Sequence, residues 1–219
     1  MEEEALSSPA PDYRTHDEIG LNAFLVRCVC VVSLASCLLG YDIGVMSGAI
    51  LFIERDLGLS DVQQEIVIGS LNIVSAVGAL LAGITSDALG RKKTVMLAAV
   101  IFTIGAIGMA CSFGFWTLLL FRAVTGVGVG VGLVLAPLYV AELSPSSFRG
   151  NLVSLGEVTI NLGILLGYVS NYVFKDLPDF YAWRVMIGAG AVPSVLLFVG
   201  VWFMPESPRW LMSKGRKGE

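Results

Sequence analysis

The chain has 219 residues, 55% hydrophobic and 15% charged, and its 14 basic and 18 acidic residues give a formal net charge of −4. Soluble domains carry about a quarter charged residues; the shortfall is not filled by Pro or Ser, which argues against disorder, and the acidic balance argues against nucleic-acid binding. Mean hydropathy is +0.78, and so apolar a chain with 25 glycines has the composition of closely packed transmembrane helices.

Residues 1–22 begin Met1-Glu2-Glu3-Glu4 and read as a disordered cytosolic tail. So acidic a start is wrong for a signal or transit peptide. Six apolar runs follow, each near the roughly 20 residues that a bilayer core needs. The first, Ala23 to Ile50, has Arg27 at its start and Asp42 inside. The second, Ile66 to Ser86, and the third, Thr94 to Cys111, carry no charge. A break at Ser112-Phe113-Gly114 precedes the fourth, Phe115 to Val140, which holds Arg122. The fifth, Asn151 to Phe174, holds Glu157, and the sixth, Val185 to Met204, holds no charge. The reading is therefore an all-α membrane unit over residues 23–204, followed by a cytosolic segment from 205 to 219.

The connections alternate in charge. Ten of the 14 basic residues fall on one side and three on the other. The positive-inside rule then places both termini in the cytoplasm. Cys28, Cys30, Cys37 and Cys111 lie in or beside apolar runs without metal-ligand spacing, and His16 stands alone in the tail. The cysteines read as small packing residues, and no metal site is expected.

Three ionisable residues remain inside the runs, and each is a functional candidate because burying a charge in a bilayer is costly. Counting from the expected outer ends of the helices, Asp42 lies about 12 Å and Arg122 about 10 Å below the outer boundary. Opposite charges at matching depth invite pairing. The plainer reading is an ion pair that fixes helix packing. The functional one is a proton switch, in which protonated Asp42 releases Arg122. Glu157 has no evident basic partner in the membrane. Asn161, one turn on, shares its face, and Tyr168 and Asn171 continue roughly along it. Such a stripe must face a cavity or another helix. A carboxylate with amides suits a hydroxyl-rich ligand; helix–helix contact is the plainer alternative.

Gly126, Gly128, Gly130 and Gly132 alternate on the fourth run, and the 126/130 and 128/132 pairs are small-xxx-small steps for close helix approach. The expected cytoplasmic boundary carries three mixed-charge strings: Gly83 to Lys93 (GITSDALGRKK), Ala141 to Gly150 (AELSPSSFRG) and Pro205 to Leu211 (PESPRWL). Topology alone needs only the basic residues. The acidic ones suggest ion pairs that form in one conformation and break in another.

The first string resembles the signature loop of the major facilitator superfamily. R-x-x-x-G-x-G-x-G from Arg122, E-x6-R from Glu142 to Arg149, and PESPRWL resemble its sugar-porter family. GYDIGVMSGA from Gly40 and GEVTINLGILLGYVSN from Gly156 look most like plant-type polyol/monosaccharide–proton symporters. The resemblance implies the amino-terminal half, built of 3+3 inverted repeats, of a twelve-helix fold. It implies that Asp42 and Arg122 couple the proton and that Glu157 and Asn161 bind substrate. Ile164 departs from the hexose-specific pattern. Asp87, Arg91, Glu142, Arg149, Glu206 and Arg209 would form a latch between the halves.

The implied function is proton-coupled sugar or polyol symport by alternating access, with the proton as coupling ion and no other cofactor. Its partners would be a sugar or polyol, the lipid bilayer and the absent carboxy-terminal six-helix half. The plasma membrane is expected in preference to the vacuolar membrane. The alternatives are a truncated non-transporting sensor or regulatory form, and an uncoupled facilitator. No nucleophile–base set or cofactor loop is visible, so an enzyme is not expected.

Overall fold

A computed structural model describes residues 23–143 and 149–214. The tail at 1–22 and the last residues of the carboxy-terminal segment, 215–219, lie outside the described residues. The described chain is helical: α1 (Ala23–Leu57), α2 (Asp61–Leu89), α3 (Arg91–Ala110), α4 (Phe115–Leu143), α5 (Arg149–Phe174), α6 (Asp179–Ala189), α7 (Ala191–Trp202) and α8 (Pro208–Ser213).

Local chemistry sets these limits. The expected first span ends at Ile50, but Leu51, Phe52 and Ile53 extend the apolar run and the helix continues through Glu54, Arg55 and Asp56. It stops at Gly58, whose φ of 64° suits a residue without a Cβ. Ser60 then opens α2 with a capping box: its hydroxyl accepts from the Gln63 backbone N–H, and the Gln63 side chain accepts from the Ser60 N–H. The expected sixth span is corrected in two ways. It starts earlier, at Asp179, and it breaks at Gly190 into α6 and α7. Pro193 causes the break, since it has no N–H for the Ala189 carbonyl and its ring crowds that carbonyl.

Five stretches are long and apolar enough to cross a membrane: Ser33–Leu57, Asp61–Leu89, Arg91–Ala110, Phe115–Tyr139 and Asp179–Trp202. The fifth expected span, α5, has 26 residues and so sufficient length. Glu157, Asn161, Tyr168 and Asn171 hold its hydropathy below that of the others.

The helices pack in two matching pairs. α1 lies mainly against α5, and α2 mainly against α4. Exchanging α1 with α4 and α2 with α5 turns one pairing into the other, as two three-helix repeats require. Both seams are backbone-close. A Cβ on Gly40 would stand 1.9 Å from the Ile160 carbonyl oxygen, and one on Gly163 would stand 2.1 Å from that of Cys37. In the other seam a Cβ on Gly130 would stand 2.0 Å from the Ser75 oxygen. The expected glycine steps on α4 thus divide. Gly126 and Gly130 meet α2, Gly128 meets Ala98 and Phe102 of α3, and Gly132 has open space.

Two apolar clusters form the core. One joins Val45, Ile53, Val67, Met109, Leu118, Trp183 and Met186. The other joins Leu38, Leu71, Phe102, Val129, Leu135 and Leu197. Arg122 lies between the two along α4. Asp42 follows Tyr41 at the edge of the Val45 cluster, next to the stretch of α1 around Leu38 that belongs to the other.

Candidate functional site

Asp42 and Arg122 meet where the clusters join. One guanidinium nitrogen, Nη1, donates to both carboxylate oxygens at 2.7 and 2.8 Å. The residues are 3% and 2% exposed, and among the described residues they are the only buried charged ones. Removing either charge leaves the other stranded in an apolar surround, so each needs its partner. Arg122 Nε is also buried and has no hydrogen-bond partner. The matching depths read from the sequence thus correspond to a direct contact. Chemically, a buried carboxylate held by a single cation can take up a proton and let that cation go.

The polar stripe of α5 splits. Glu157 and Asn161 are exposed together, with the Asn161 amide donating to the Glu157 backbone carbonyl at 2.9 Å. Tyr168 is exposed on the same side. Asn171 does not follow them. At about 100° per residue it drifts to the opposite edge from Asn161 and enters the α1 seam. There its Nδ2 donates to the Gly44 carbonyl at 3.1 Å, while its Oδ1 is buried without a partner.

At the far end of the bundle, Asp87, Arg91, Glu142 and Glu206, four of the residues expected in the latch, gather around the start of α3. Arg91, at the start of α3, forks between Glu142 (Nε to Oε2, 3.2 Å) and Asp87 (Nη1 to Oδ1, 3.0 Å). Its Nη1 also reaches the Ser86 carbonyl at 3.1 Å. Ser207 donates its hydroxyl to Glu142 at 2.5 Å, and Trp210 Nε1 donates to the Asp87 carbonyl at 3.1 Å. The Tyr139 hydroxyl reaches the Pro205 carbonyl. Two latch residues behave otherwise than expected. Arg209 is exposed and forms no ion pair with the described residues. Glu206 makes no ion pair among them either. Its Oε1 accepts from the backbone N–H of Lys92 and of Ser207, each at 3.0 Å.

Helix physics explains the position of Glu206. The N-cap of α3 is Gly90, which has no side chain to satisfy the first-turn N–H groups. Glu206 supplies that acceptor from another segment and sets its negative charge against the positive end of the helix dipole. Arg149 opens α5, but its side chain lies outside the described ones, as do residues 144–148.

The opposite end holds a cluster that the sequence reading missed. Asp56 of α1 accepts from Trp183 Nε1 at 2.9 Å and from Arg184 Nη1 at 2.7 Å. Arg184 Nη2 donates to the Ser112 carbonyl in the α3–α4 connection at 2.9 Å. Its guanidinium carbon lies 4.0 Å from the Phe180 ring centroid and 4.1 Å from that of Trp183. Asp56 lies beyond Ile50, the expected end of the first span, on the turn of α1 that the apolar run does not reach. The available signal was the Trp-Arg pair at the start of the last apolar stretch, an amphipathic pair suited to a helix end.

Known proteins with this arrangement are transporters. A family profile described as "Sugar (and other) transporter" matches residues 28–219. Polyol transporter 5 of Arabidopsis thaliana is 53% identical over 198 residues, covering 90% of this chain and 37% of that protein. The glucose transporter GlcP of Staphylococcus epidermidis is 44% identical over 180 residues, covering 82% and 40%. The solved structure of the proton:xylose symporter XylE bound to 6-bromo-6-deoxy-D-glucose superposes with a TM-score of 0.84 at 30% identity. That match covers 89% of this chain and 47% of XylE. The chain therefore spans about two-fifths to one-half of the length of these proteins, and the shared fold is that of one half of a major facilitator transporter. On the extent of the profile match, the chain belongs to the sugar (and other) transporter family.

Proposed function

We propose that the chain is the proton-sensing half of a sugar or polyol symporter that works by alternating access. The observation that carries this reading is the isolated, buried Asp42–Arg122 pair. A permanent structural tie gains little from ionic groups, which apolar residues of similar volume replace without loss. A tie that must be cut by a proton needs a carboxylate. Protonation of Asp42 from the outer side frees Arg122, α1 and α4 lose their attraction, and the balance between outward and inward states changes.

Glu157 and Asn161, exposed on α5, form one wall of a cavity that a second six-helix half completes. A carboxylate and an amide there accept and donate hydrogen bonds to a polyhydroxy substrate. The Arg91–Glu142–Asp87 cluster and Glu206 lie at the cytoplasmic boundary, with both termini on that side and the protein in the plasma membrane.

The test is uptake by the full-length protein that contains these residues, in proteoliposomes with an imposed proton gradient. Asp42→Asn abolishes uphill accumulation and leaves exchange of labelled substrate across the membrane. Uphill uptake that persists in Asp42→Asn and still collapses with an uncoupler sinks the assignment. Glu157→Gln changes affinity across a panel of sugars and polyols; identical kinetics over the whole panel remove it from the binding wall.

A further inference from the structure

We propose that Tyr41 is a positioning residue for the proton site: its hydroxyl pins α1 to α5 and α6 and so sets how tightly Asp42 holds Arg122. The proposal rests on the reading that Asp42 takes the coupling proton.

Tyr41 immediately precedes Asp42, and a step of about 100° around α1 sends the two side chains to different neighbours. Asp42 turns to α4. Tyr41 is 8% exposed, and its hydroxyl lies 2.7 Å from the Met186 carbonyl oxygen of α6 and 3.0 Å from the Ser170 hydroxyl of α5. A carbonyl only accepts, so the single phenol hydrogen goes to Met186 and Ser170 supplies the hydrogen of the other bond. The ring also packs at the α6–α7 break. A Cβ on Gly190 would stand 3.2 Å from the Tyr41 Cε1 atom. One turn further along α1, Asn171 of α5 holds the Gly44 carbonyl. At this level α1 is therefore tied to three helices, and only the tie to α4 carries charge.

Among the described titratable groups on the helices packed against α1, Arg122 alone bonds to Asp42. On α4, Glu142 and Tyr139 bond at the Arg91 end. On α5, Glu157, Tyr168 and Tyr172 are exposed. On α6, Asp179 faces Arg55, Arg184 is held by Asp56, and Tyr181 is exposed. On α2, Asp61, Glu65 and Asp87 are exposed, and α7 has no titratable side chain. On α1 itself, Cys37 lies more than a turn away. The strength of the Asp42–Arg122 pair is then set by where α1 stands relative to α4, and Tyr41 fixes that position with two uncharged bonds. Protonation cuts the charged tie and leaves the other two, so α4 is released while α1, α5 and α6 stay together.

Tyr41→Phe keeps the ring and removes both bonds. It loosens α1, weakens the pair and makes the protonated form easier to reach. In proteoliposome uptake by the full-length protein, the pH midpoint of transport is expected to move up by about half a unit or more, roughly a threefold gain in proton affinity. The substrate KM at saturating proton concentration stays at the wild-type value, because the phenol is buried against Ser170 and Met186 and is not on the exposed α5 face that carries Glu157 and Asn161. Ser170→Ala, which removes one of the two bonds, moves the midpoint in the same direction by less. A midpoint unchanged in both variants overturns the proposal, as does a shift in KM with no shift in pH profile. Asp42→Asn run alongside separates the two levels. If it abolishes uphill uptake while Tyr41→Phe is silent, only the role of Tyr41 falls; if it leaves pH-driven uphill uptake intact, the proton reading itself falls.

Discussion

Replacing Arg122 by Gln and Asp42 by Asn, singly and together, measures what the buried pair contributes. The charge centres of a carboxylate and guanidinium in contact at 2.7 Å lie about 4 Å apart, an attraction of about 4 kcal/mol at the effective dielectric of a protein. Each single variant also leaves a charge in a site only 2–3% exposed, so each should cost about 3–5 kcal/mol. The double variant carries two neutral amides of similar shape that can bond to each other. Much of the loss should return, with a coupling energy of about 3 kcal/mol. Reversible unfolding of the purified protein in mixed micelles by SDS titration, followed by tryptophan fluorescence, supplies the four free energies. If the two single effects add to the double within about 0.5 kcal/mol, the residues do not act as a pair and the argument fails.

The glycine seams predict opposite outcomes for two positions on one helix. Gly130→Ala drives a Cβ to 2.0 Å from a backbone oxygen of α2 and should destabilise by about 1–3 kcal/mol. Gly132→Ala enters open space beside a small apolar cavity lined by Leu39, Phe102 and Leu197, and should stabilise by about 0.5–1 kcal/mol through helix propensity; melting by fluorescence-detected size exclusion ranks the two. If Glu206 caps α3, Glu206→Ala should cost about 1 kcal/mol and Glu206→Gln, which keeps an acceptor oxygen, less than half of that. Equal losses would point to an ion pair. Arg184→Lys keeps the charge but cannot serve Asp56, Phe180 and Ser112 together. Its thermal midpoint should fall nearly as far as that of Arg184→Gln, and a wild-type midpoint would show that charge alone matters.

The features that could be read from sequence were those with a period or a depth. Apolar runs located the spans, and residue counts from the run ends placed Asp42 and Arg122 at one level, where they touch. Features set by groups distant in the chain could not be read. Nothing local to Glu206 says that the bare N-terminus of α3 lies beside it, and its charge favoured an ion-pair reading. Helix ends misled in a related way. The expected first span ends at Ile50, yet Leu51, Phe52 and Ile53 carry the apolar run further and α1 continues through Glu54, Arg55 and Asp56 until Gly58 stops it. Asn171 shows a third limit. Helical angle keeps Asn171 within about 40° of Glu157, but α1 packs over this end of α5, so an edge that is open at Glu157 is covered at Asn171.

The two glycine seams bear on how large motions are distributed. Where backbone meets backbone there are no long side chains to change rotamer, and so no soft layer in which two helices can tilt apart by small steps. Because the α1–α5 and α2–α4 seams each join a helix of one repeat to a helix of the other, the repeats are riveted twice, on different sides. Such a unit transmits a push at one end to the other with little loss. Rearrangement is then left to the places without such a seam: the α1–α4 contact held by the Asp42–Arg122 pair, and the rims, where ion pairs such as Arg91–Glu142 can exchange partners.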